Sequence, residues 1–104
     1  MPAPELWIGL AEVVQKPGAG VLMDRNAAFT NVIAVATSAA EFAEAATTAL
    51  SDNGFELVAL EESEPLAARL LKHTLDERLQ ALAQEVSRTG VPGFGTLFTW
   101  VKDE

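Results

Sequence analysis

Residues 29–41 read FTNVIAVATSAAE. Val32, Ile33 and Val35 are β-branched, and such side chains fit a pleated sheet. The segment Phe29 to Thr37 is therefore read as a strand. Ser38 follows, with Glu41 three residues on. That spacing is a capping box, in which each side chain satisfies a free backbone N–H near the start of a helix. The helix should run to about Asp52 with Phe42, Ala46, Ala49 and Leu50 on one face, and Asn53-Gly54 should close it in a left-handed turn. A strand running directly into a capped helix sets an α+β frame.

Upstream, Leu6 to Gln15 (LWIGLAEVVQ) reads as a strand. Lys16 to Gly20 reads as a turn, Val21 to Met23 as a short strand and Asp24 to Asn26 as a further turn. Downstream, Phe55 to Glu61 (FELVALE) is a strand, and Pro65 opens a second helix. Ala68, Leu71, Leu75, Leu79, Leu82 and Val86 recur at a mean step of 3.6 residues, which predicts one straight helix to about Arg88. By that count Leu66 and Leu70 point away from the sheet. Gly90 and Pro92-Gly93 end the helix, and Phe94 to Val101 is the last strand.

The expected order is β-β-α-β-α-β over one domain, residues 1–104. It is an α+β two-layer sandwich, with two helices on one face of a roughly four-stranded sheet. This plan is similar in outline to the ferredoxin-like family. The strands, however, are apolar on both faces. Leu6, Ile8, Leu10 and Val14 alternate with Trp7, Gly9, Ala11 and Val13. A sheet with one wet face should alternate apolar with polar. If both helices share a face, something must cover the other, and a second copy of the chain is the simplest candidate. The expectation is a homodimer through the sheet, with Trp7, Leu66, Leu70 and Trp100 at the interface.

Composition bounds the function. The 104 residues are 49% hydrophobic, which argues against disorder. The net charge is −8, and no Lys or Arg occurs between Asn26 and Ala68. Nucleic acid and anionic membranes would be repelled, whereas a protein partner with a basic surface would be attracted. The apolar runs are too short to span a membrane as helices. There is no cysteine, so thiolate chemistry and disulfides are excluded, and a cytoplasmic setting is expected. The opening Met-Pro-Ala-Pro-Glu has neither the basic nor the apolar region of a signal peptide.

No catalytic, cofactor or metal motif stands out. His73 is the only histidine, and it falls opposite the Leu75/Leu82 stripe. The Glu61-Glu62-Ser63-Glu64 cluster precedes a helix, where acids favour the positive end of the dipole. No serine sits in a nucleophile motif, and no glycine set forms a phosphate loop. The reading is a non-enzymatic binding or accessory module, homodimeric, that meets a protein partner. The alternative is a small-molecule sensor or small enzyme, with Trp7, Phe98 and Trp100 as walls and Glu12, Arg25 or His73 as polar groups.

Overall fold

The computed structural model describes residues 3–15 and 27–95, together with the backbone of 98–100. The turns and short strand expected within residues 16–26, and Arg25 with them, lie outside the described residues. The elements are β1 (Glu5–Gln15), β2 (Ala27–Ala36), α1 (Ala39–Asp52), β3 (Phe55–Pro65), α2 (Leu66–Leu70), α3 (Glu77–Thr89), β4 (Gly93–Phe94) and β5 (Phe98–Trp100). The sheet order is β3-β1-β2-β4, with β5 also on β2, and every pairing is antiparallel.

β1 and β2 form an unbroken ladder from Glu5↔Ala36 to Val14↔Ala27. β4 and β5 flank the outer side of β2 in turn, offset by one residue: Val32 faces Phe94, but Phe29 faces Phe98. Buried Thr30 spends its hydroxyl at this offset, donating to the Gly95 carbonyl at 3.1 Å, while the Gly95 N–H donates to Asn31 O at 2.9 Å. A buried polar group needs such a partner.

The α1 cap forms at Ser38 as expected, with only its reciprocal half one residue early. The Glu41 N–H donates to Ser38 Oγ at 3.2 Å, while the Glu41 carboxylate takes the Thr37 N–H and hydroxyl. Gly54, at φ 88°, turns the chain at the far end, where an L side chain would be strained. β3 runs on to Pro65 and carries two irregularities against β1. Val58 is one extra residue. Glu62 and Ser63 together face Gly9, and Glu62 adopts φ 55° there. Such bulges bend a strand and interrupt its pairing.

The layer arrangement departs from expectation. Phe42, Ala46 and Leu50 of α1 pack on Ala11, Val13, Val32 and Ala34. Leu66, Leu75, Ala83 and Val86 pack on Ile8 and Ile33. Ile33 follows Val32 directly, so the two packing sets lie on opposite faces of the sheet. The helices therefore sandwich the sheet rather than sharing one side. The apolar character of both strand faces is met within the chain, by α1 on one side and by α2 and α3 on the other.

The long second helix is also two helices, which makes the order β-β-α-β-α-α-β-β and leaves the ferredoxin-like order unconfirmed. Residues 71–76 separate the two helices, and Asp76 caps the second by accepting the Leu79 N–H at 2.8 Å. The break shifts the phase of the stripe. Leu71 is 89% exposed, whereas Leu66 is buried, the reverse of what one continuous helix implies.

Candidate functional site

α1 buries Phe42, Ala46 and Leu50 against the sheet. Helical spacing then carries Glu41, Glu44, Thr48 and Asp52 along one outer ridge. Across from this ridge stand Val91 and Pro92. They are placed by the end of α3, where Gly90 at φ 73° closes the helix with its N–H on Val86 O at 2.8 Å. The Thr89 hydroxyl then donates to Glu85 O and accepts the Val91 N–H, which fixes the turn. The groove between ridge and turn encloses about 440 Å³. Its apolar lining is Ala45 and Ala49 on α1 with Val91 and Pro92 opposite, and its rim carries Glu41, Glu44 and Asp52. None of the lining residues is basic. Val91 is 63% exposed, an apolar side chain held in water at the mouth of the groove.

A second cleft of about 340 Å³ lies where β3 meets α2, lined by Glu62, Ser63, Glu64, Arg69, Lys72 and His73. Its charges are already matched. Arg69 Nε reaches Glu64 Oε2 at 2.6 Å, Lys72 Nζ reaches Glu64 Oε1 at 2.8 Å, and Arg69 Nη2 donates to Glu62 O at 2.9 Å. The Lys72 ammonium and then the Arg69 guanidinium, both hydrogen-bonded to the carboxylate, hold Glu64 below its ordinary value. We read this cluster as a clasp that ties α2 to the end of β3. A carboxylate with a lowered folded value stabilises the protein above its unfolded value, and that contribution fades as pH falls through the folded value. Glu64→Gln should therefore unfold at lower denaturant than wild type at neutral pH. The gap between the two should close as the pH drops below the usual glutamate range near ~4.3. Paired denaturant titrations from neutral to acidic pH check this, and a gap that widens in acid would contradict it.

The residues singled out in sequence fall in different places. Trp7 lies beneath α1, stacked on Phe42 with ring centroids 6.1 Å apart. Its indole Nε1 is buried without a hydrogen-bond partner among the described residues. Glu12 is five residues further along β1, roughly 17 Å at ~3.3 Å per residue, and faces the opposite side. Its register row runs Ala59, Glu12, Phe29, Phe98, and Trp100 pairs with Ala27 two rows beyond. Trp7 sits instead in the row of Pro65 and Ala34, so the backbone does not bring Trp7 together with Phe98 and Trp100. The side chains of Phe98 and Trp100 lie outside the described residues. Leu66 is buried and Leu70 is 53% exposed. His73 is exposed at the rim of the clasp.

Among the described residues, no group of three or more His, Cys, Asp or Glu is gathered to hold a metal ion. No helix among them is long and apolar enough to cross a membrane. Compared with protein-family models, curated proteins and solved structures, the chain gives no match.

The acidity of α1 is legible in the sequence, but Val91 and Pro92 as the opposing wall are not. They reach α1 only through a contact some forty residues away along the chain, and no local pattern signals it.

Proposed function

We propose that this chain is a non-enzymatic binding module that receives a basic, amphipathic segment of a partner protein in the groove along α1. The carrying observation is the groove itself, with its apolar lining of Ala45, Ala49, Val91 and Pro92 beside a rim of Glu41, Glu44 and Asp52. An occupant must offer apolar surface to the lining and positive charge to the rim. A helix or strand with one aliphatic face and flanking lysines or arginines does both. The long-range field supports the same partner. The stretch from Asn26 to Ala68 has no base in a chain of net charge −8, so a basic segment is drawn in and a phosphate backbone is repelled. The cysteine-free composition accords with a cytoplasmic setting.

The test is a titration of the full chain with a synthetic amphipathic peptide bearing leucine on one face and lysine on the other. Saturable binding in the micromolar range is expected, weakening as salt rises because the rim is exposed. Glu44→Lys combined with Asp52→Lys should weaken it about tenfold or more, a change of ~1.4 kcal/mol. Glu56→Lys combined with Glu61→Lys, which adds the same charge on β3, should weaken it far less. Equal losses from both pairs would mean that only overall acidity matters, and the groove would lose its role.

A further inference from the structure

We propose that the exposed surface where α2 meets α3 is a self-association surface, on which a second copy of this chain docks about a twofold axis. The inference is independent of the α1 groove. Leu70 and Leu71 are consecutive and are 53% and 89% exposed. Scattered surface leucines are ordinary. These two, however, adjoin a groove of about 350 Å³ between α2 and α3, whose apolar lining is Leu66, Leu70, Leu75 and Ala83. Leu70 is thus both half-exposed and part of the recess lining, and Leu71 follows it directly in the chain. A twofold interface requires this self-complementarity, because each copy must present both halves of the contact.

Charge selects the same surface. From Pro65 to Thr89 the chain holds Arg69, Lys72, Arg78 and Arg88 against Asp76, Glu77 and Glu85, a net +1 within a chain of net −8. Most of the charged remainder of the chain is acidic, and two copies approaching through an acidic part bring like charges together. With Glu64, which pairs with both Arg69 and Lys72, the stretch from Glu64 to Thr89 holds four bases and four acids, so the patch is electrically balanced. The other routes to a dimer are less favourable. Helices pack on both sheet faces. The outer edge of β3 carries Glu56, Glu61 and Glu62 and is interrupted at Val58 and at Glu62–Ser63. Charges and bulges of this kind oppose edge-to-edge pairing. A stable dimer buries about 800 Å² per partner, so the outer side of α3 must join α2 in the contact.

Sedimentation of the full chain from about 1 to 100 µM, the range in which a micromolar dimer dissociates, tests the proposal. A reversible monomer–dimer equilibrium is expected. Leu71→Glu should abolish it, and the uncharged Leu71→Ser should raise the dissociation constant about tenfold or more. Both should keep the wild-type denaturation midpoint measured at the dilute, monomeric end, since Leu71 contributes little to the packed core. A wild-type monomer throughout the range would overturn the proposal, as would a dimer unaffected by either substitution. Growth beyond the dimer would also overturn it, by showing a head-to-tail contact in place of a twofold one.

Discussion

Phe42→Ala should destabilise the chain by about 3–5 kcal/mol, as loss of a fully buried aromatic ring does. Phe42 has no exposed surface and stacks on Trp7. Its ring also lies on the backbone of β1: a Cβ built on Gly9 would stand 2.8 Å from Phe42 Cε2. The contact therefore needs a glycine below as much as an aromatic above, and the surrounding strands have little freedom to collapse into the space left. Domains of this kind have only ~5–15 kcal/mol of net stability, so the variant should sit near the edge of folding. Chemical denaturation should show the midpoint falling with little change in slope. A loss below about 1 kcal/mol would mean that α1 is not seated on Gly9 as described.

Ile33→Ala should cost about 2–5 kcal/mol on the opposite side of the sheet. Ile33 is fully buried in the cluster formed with Leu66, Leu75, Ala83 and Val86. The loss should be the same at low and high protein concentration, because the chain's own helices provide the cover. Association through α2 and α3 would raise the stability of wild type and variant alike and leave the loss unchanged, whereas a second copy covering Ile33 would make the loss itself depend on concentration. Denaturation of wild type and variant at two widely separated concentrations distinguishes the cases. A concentration-dependent loss would restore the reading in which the sheet face is an interface.

Much of this frame is legible from local chemistry. The β-branched run of β2, the Ser38/Glu41 spacing and Asn53-Gly54 each carry a direct physical signal, and each forms close to where it is expected. The two-sided apolar strands are also plain in the sequence. Their cause is not, because periodicity reports which side of a helix is apolar and says nothing about which side of the sheet that helix crosses to. The stripe from Ala68 to Val86 holds a helical step across residues 71–76, so the break leaves no gap in the pattern. Asp76 is its one local mark, a good capping residue with Glu77 in the first turn behind it, which also reads as an ordinary surface charge within a helix. With the break unread, Leu66 and Leu71 exchange their inner and outer places. In the groove, Glu44 and Asp52 are visible as an acidic ridge, whereas the wall opposite depends on how α3 ends and returns the chain to β4.

The most direct measurement of the functional account is an NMR map of the full chain titrated with the leucine–lysine peptide. Amide shifts should change along Glu44, Ala45, Thr48, Ala49 and Asp52 and at Val91, the two walls of one groove, and should saturate together. Changes concentrated on Glu56, Glu61 and Glu62 of β3, or spread evenly over every acidic surface, would contradict the groove as the recognition site.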